Sequence, residues 1–323
     1  MRPIPKAIYW FLLALCATAH AAEKPKTYRA PRLPDGHADI EGIWKNSDLT
    51  PLERPEGITQ LAITATDAAK LRAQYLVPSG GPNQPDDPGL DPDRSFEPIR
   101  GQLRSSLIID PHDGTIPWND DYKEKSAALR SSVLNAFDNP EDRPPLERCL
   151  GSTGAPPPMQ PMGDSNDYQF VQTSTTTVII SETIHDARIV RMNGTHSPGT
   201  VTSWLGDSVG WWERDTLVIE TKYFSSTSSV RLTRRHVFLV SPQTTVLERF
   251  TRVSDDELNY VFTVSDPTYY TRSWTGETHL LRSNHKMFEY ACHEGNYAIR
   301  NILEAARANN LKASSAITPT STK

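Results

Sequence analysis

Residues Trp204–Lys222 read WLGDSVGWWERDTLVIETK. Three tryptophans and four acids surround a glycine-bearing turn, and the stretch then runs into residues whose side chains alternate as a β-strand requires. Working outward, the same pattern recurs. Tyr168–Thr173, Thr176–Ser181, Thr183–Met192 and Ser208–Glu213 precede or overlap the stretch, and Asp215–Lys222 closes it. His236–Val240, Thr244–Val253, Glu257–Ser265, Thr268–Trp274 and Glu277–Arg282 follow. Short turns such as Asn193-Gly194, Ser254-Asp255-Asp256, Asp266-Pro267 and Thr275-Gly276 separate them. Many short strands joined this way imply a mainly β fold, an antiparallel meander. So many sequential strands would leave long edges if open, so the meander is expected to close as a barrel or a sandwich.

The flanks are different. Residues 1–21 carry Arg2 and Lys6, an apolar run and Ala19-His20-Ala21, the layout of a secretory signal peptide cut after Ala21. The apolar run is too short to span a bilayer, so no membrane insertion is expected once it is removed. Residues 22–100 form a proline-rich N-terminal segment, with a first strand near Gly42-Ile43-Trp44 and a short helix over Thr66–Leu76 capped by Thr64 or Thr66. Residues 101–309 form the β domain, with a helix from the Asn119 cap to Phe137 and a final helix over Glu294–Asn309. Residues 310–323 are a polar, disordered tail.

Composition excludes some partners. The net charge of −5 comes without any block of like charges, which argues against nucleic acid, since phosphate binding needs a concentrated basic face. Once the signal is removed, Cys149 and Cys292 remain. In a periplasmic or secreted chain they can pair, or they can stand as two buried thiols.

Candidate chemistry concentrates in the strand-rich part. Gly206-Asp207-Ser208-Val209-Gly210 matches the nucleophile-elbow pattern, but a strand follows where that motif needs a helix, so a Ser208 hydrolase is a secondary reading. In Thr183–Met192, alternation puts Ile184, Asp186, Arg188, Val190 and Met192 on one face and His185, Ala187, Ile189 and Arg191 on the other. His185 and Asp186 therefore make no dyad. Asp186 and Arg188 can pair, either as a polar cluster in a ligand cavity or as an ion pair on an exposed face. Glu220 points inward if Leu217 and Ile219 face an outer layer, and an inward glutamate can act as acid or base. His196, after the Asn193-Gly194 turn, suits proton transfer.

The expected catalytic set is thus His196, Asp186, Arg188 and Glu220. Trp204, Trp211, Trp212, Tyr270 and Tyr290 supply aromatic surface for a small apolar or aromatic molecule. His112, His293, Asp207 and Glu294 add scattered ligand types without metal-site spacing, so neither a metal nor another cofactor is expected. These residues suggest an enzyme of the lyase or isomerase kind, working by acid–base chemistry. A protein that carries an apolar ligand unchanged is the alternative.

The C-terminal half also resembles a large family of uncharacterised exported bacterial proteins. The shared pieces are Trp204–Gly210, Trp212–Thr221, Glu248-Arg249-Phe250, Asp266–Trp274 and Glu289–Tyr297, together with Asp110–Pro117 and Arg148-Cys149-Leu150. The chain departs from the family pattern at Arg214, where a glycine is usual, and at Ser273, where a proline is usual. The resemblance implies that Cys149 pairs with Cys292, because both sit inside shared pieces. It brings no activity with it. Gly42-Ile43-Trp44 is similar to the opening of lipocalin-like barrels, which implies a closed barrel followed by a helix.

Overall fold

The computed structural model describes residues 28–75, 95–151, 156–161, 167–225, 230–232 and 237–317. The expected signal peptide, most of the loop from Pro78 and the last residues of the tail lie outside them. The elements in chain order are β1 (Gly42–Lys45), α1 (Ala65–Tyr75), β2 (Ile108–Asp110), α2 (Asp120–Asn135), β3 (Asp167–Gln172), β4 (Thr176–Ser181), β5 (Ala187–Met192), β6 (Asp207–Glu213), β7 (Thr216–Lys222), β8 (Val230–Leu232), β9 (Val237–Leu239), β10 (Thr245–Arg252), β11 (Glu257–Ser265), β12 (Trp274–Arg282) and α3 (Ala298–Ile317).

The main sheet runs β1-β3-β4-β5-β6-β7-β10-β11-β12, and β1 pairs again with β12, so nine strands close a barrel. β2 adds to β12, and β8 and β9 form a separate hairpin. The barrel is mixed, not wholly antiparallel. Strand directions cannot alternate all the way round a ring with an odd number of members, so one pair must be parallel. That pair is β5 and β6, where Val190 faces Ser208 and Met192 faces Gly210. Asn193-Gly194 therefore does not make a hairpin. Asn193 takes a left-handed φ of 53° and starts a crossing, residues 193–206, that carries the chain back along the barrel. Gly210 lets the parallel pair approach, since a Cβ there would lie 2.8 Å from Val190 Cγ1.

Alternation along each strand fills the interior. Trp44, Tyr168, Phe170, Phe250, Tyr260, Phe262 and Trp274 are all at most 1% exposed. Phe250 stacks on Tyr260 with ring centroids 4.6 Å apart, and Trp274 meets Phe262 edge-on. Each buried ring of this kind contributes about 1.5–3 kcal/mol from burial. The segment around Tyr28–Asp39 lies against the barrel end that holds the β6–β7 turn. Arg32 pairs with Asp215, His37 stacks on Trp212, and the buried Arg252 guanidinium donates to Asp39 O. Residues 28–39 thus pack against the barrel and lead into β1.

Several element limits depart from the expectation. Thr183–Met192 is not one strand: residues 183–185 form a tight turn with Ile184 and His185 at positive φ, and β5 starts at Ala187. Thr268–Trp274 is mostly turn, with the Asp266 side chain accepting from the Thr268 amide, so β12 starts at Trp274. The β6–β7 turn forms with Arg214 in the left-handed region, φ 59°, where the resembled family has glycine. α3 continues to Ile317, so residues 310–317 are helical where a disordered tail was expected. Thr64 caps α1, as expected, by accepting from the Asp67 amide at 3.1 Å. Cys149 and Cys292 form a disulfide. Among the described residues, no helix is long and apolar enough to cross a membrane.

One charged pair lies inside the packed interior. Arg188 (β5) meets Glu248 (β10) through both guanidinium Nη atoms, and the Tyr260 hydroxyl donates to Glu248 Oε1 at 2.8 Å. The Met159 amide donates in turn to the Tyr260 hydroxyl at 3.0 Å. Burial drives the Tyr260 phenol well above its ordinary range, and the Glu248 carboxylate adds to the shift. Removing one partner of a fully buried ion pair leaves the other charge stranded. Glu248→Ala is therefore expected to lose about 3–5 kcal/mol in urea unfolding, while the apolar double variant Arg188→Met, Glu248→Leu loses much less. Equal losses would show that the two charges are not held as a pair.

Candidate functional site

β5, β6 and β7 lie side by side, and their outward side chains form one polar row. Arg191 faces Val209, Asp207 faces Lys222, and Val209 faces Glu220. The crossing 193–206 lies over this row and brings His196 down onto it. Its far end is tied by a bond from the Ser203 amide to Tyr223 O. Gly206, at φ 72°, makes the last turn before Asp207, and a Cβ there would lie 2.8 Å from Lys222 O.

His196 stands between two carboxylates. Nδ1 is 2.8 Å from Asp207 Oδ2, and Nε2 is 3.0 Å from Glu220 Oε1. Arg191 grips Asp207 through two nitrogens, each at 2.9 Å, and also donates to Thr195 O. The Ser197 amide donates to Asp207 Oδ2 at 3.0 Å. Lys222 Nζ is 2.7 Å from Glu220 Oε1. The Tyr223 ring meets the imidazole edge-on at 5.9 Å. The result is a continuous chain, Arg191, Asp207, His196, Glu220 and Lys222, with the imidazole between two ion pairs. A neutral imidazole carries one N–H and satisfies one of the two carboxylates, whereas the doubly protonated ring satisfies both.

Burial alone would raise the Asp207 carboxyl, but the bonds from Arg191, His196 and the Ser197 amide outweigh it and hold it well below the usual carboxylate range. Glu220 moves the same way: burial opposes the shift, and Lys222 and His196 prevail. His196 and Asp207 are each 14% exposed and Glu220 is 28% exposed, so a small molecule can reach the glutamate side from solvent.

The other expected site residues lie elsewhere. Glu220 points outward, because Leu217 and Ile219 are the residues that fill the barrel. Arg188 points inward, as alternation allowed, but its partner is Glu248 on a different strand and not Asp186. Asp186 sits half-buried just before β5, outside the ladder that would align it with Arg188. The three do not share a hollow. Ser208 is buried mid-strand, with its hydroxyl on Thr221 at 2.8 Å, not on a sharp strand-to-helix turn.

The aromatic set does not converge either. Trp211 lies on the outer face with its indole N–H on Glu213, and Trp212 points inward to the His37 stack. Trp204 is half-buried beside Gly151. The buried Tyr270 hydroxyl bonds both the amide and the carbonyl of Leu239. Tyr290 lies on the C-terminal segment. Among the described residues, no group of three or more His, Cys, Asp or Glu side chains is arranged to hold a metal ion.

Because both carboxyls titrate lower when folded, they stabilise the fold above the ordinary carboxylate range, about pH 4, and that stability is lost as pH falls below it. The urea midpoint of the wild type is expected to fall more steeply between pH 5 and pH 3 than that of Asp207→Asn. Parallel curves would mean that Asp207 carries no such linkage.

No family model, curated protein or solved structure matches the chain.

Proposed function

We propose that the chain works outside the cytoplasm as an enzyme of acid–base chemistry (hydration, elimination or isomerisation) on a small apolar or aromatic molecule. The reacting groups are His196 and Glu220 on the outer wall of the barrel. The observation that carries this reading is the imidazole held between Asp207 and Glu220. Asp207 fixes the ring through Nδ1 and leaves Nε2 and Glu220 to share a proton that a bound molecule can take or give. Arg191 and Lys222 flank the pair and can hold an anionic or carbonyl oxygen, a role that the buried Arg188 is not placed to fill. Trp211 lies on the same outer face of β6 and offers apolar surface beside it.

Export is supported by the signal-like residues 1–21 and by the disulfide, which suits an oxidising compartment such as the periplasm or the exterior. The membership suggested by the shared sequence pieces agrees with export and adds no chemistry. Carriage of an apolar ligand inside the barrel is the weaker reading, because aromatic side chains occupy the interior positions.

A positioned base can be read out with 5-nitrobenzisoxazole, whose ring opens when one proton is removed. Turnover above buffer background is expected for the wild type, falling about 100-fold in His196→Ala and in Glu220→Gln. Equal rates in all three folded proteins would remove the assignment.

A further inference from the structure

Between β4 and β5 the chain makes a strained bend. Ile184 and His185 are both left-handed, with φ of 66° and 56°. For a β-branched residue this backbone is a true outlier, costing on the order of 1–3 kcal/mol, and it persists only where surrounding contacts hold it. Backbone bonds from the Ser181 amide to Asp186 O and from the Glu182 amide to Asp167 O hold it, together with the C-terminal segment 283–297, which returns over this end of the barrel. The Phe288 amide donates to the buried Glu182 carboxylate at 2.7 Å, and the Tyr290 amide donates to His185 Nε2 at 3.0 Å. Two residues on, Cys292 is joined to Cys149. Little apolar packing adds to this, since Phe288 is 75% exposed and Tyr297 is 67% exposed. The segment is held by individual polar bonds.

The bond to His185 has a definite sign. A backbone N–H can only donate, so Nε2 must present its lone pair, and the proton of the neutral ring sits on Nδ1. A protonated imidazole carries hydrogens on both nitrogens and would set N–H against N–H. We propose that His185 is a pH-sensitive clasp, which holds segment 283–297 on the barrel end at neutral pH and releases it on acidification.

Because the closed form needs the unprotonated ring, closure is favoured above the range in which imidazoles titrate, about pH 5–8, and is lost as pH falls through it. The disulfide keeps Cys292 tethered, so release is a local lifting that uncovers Glu182. Titratable and charged groups on the elements that meet here are Glu182 and Asp186 on the bend, Asp167 and Arg188 on the adjoining strands, and His285, Lys286, Glu289, Tyr290, His293 and Glu294 on the segment itself. Among them, His185 is the histidine whose ring nitrogen accepts a bond from the segment.

Amide hydrogen exchange on the full-length protein tests the clasp. After correction for intrinsic rates, protection of the Tyr290 amide is expected to drop about ten-fold or more from pH 7.5 to pH 5.5, with Phe288 following. His185→Gln, whose amide oxygen accepts without titrating, is expected to keep protection at both values. His285→Gln and His293→Gln are each expected to retain the wild-type drop. Unchanged protection in the wild type overturns the proposal, and so does an equal drop in His185→Gln. Should His185→Gln fail to hold the segment at either pH, the His285→Gln and His293→Gln proteins decide: a drop retained in both supports His185, and a drop lost in either assigns the switch to that histidine and overturns the proposal.

Discussion

Nine strands close this barrel, and an odd ring has to contain a parallel pair. Parallel neighbours are joined by a crossing of about a dozen residues or more, never by a tight hairpin. Here the pair is β5 and β6, and the crossing is residues 193–206. That requirement produces the candidate site. A hairpin at Asn193-Gly194 would have sent the chain straight back and left no length for His196 to lie across the wall. Because the crossing must travel the barrel's height, its first turns pass over the outward faces of β5, β6 and β7. There Arg191, Asp207, Glu220 and Lys222 already stand in register. The bonds from Asp207 and Glu220 fasten the crossing and set the imidazole between two acids.

The two faces of β5 show how one strand serves two electrostatic regimes. On the inner face, Arg188 has Glu248 and the Tyr260 hydroxyl for company and almost no exposure. An uncompensated charge would be intolerable there, so the pair is best understood as mutual compensation within an aromatic interior. On the outer face, three residues along, Arg191 is 40% exposed and holds Asp207 in a bidentate grip. Screening weakens that contact, but the linked His196, Glu220 and Lys222 make a network of it. The inner pair organises packing. The outer network places groups where solvent and small molecules can reach them.

The histidines extend the contrast. His196 faces acceptors with both nitrogens, whereas His185 faces a donor with one.

The sequence by itself determined most of the strand ladder. Period-two alternation at Thr176–Ser181, Glu257–Ser265 and around Asp215–Lys222 is a local property of the chain and survives folding. It also sorted Arg188 and Arg191 onto opposite faces. Only the tertiary structure decided which face was the inside. Alternation groups Glu220 with Thr216 and Val218, but closure of the ring turns Leu217 and Ile219 inward and leaves Glu220 outside. The partner of Arg188 lies sixty positions away in Glu248, across pairings that no local pattern encodes. The strained bend at Ile184, the parallel pair and the return of segment 283–297 follow from how many strands must close and where their ends meet. Those are conditions on the whole ring, and no single stretch of the chain contains them.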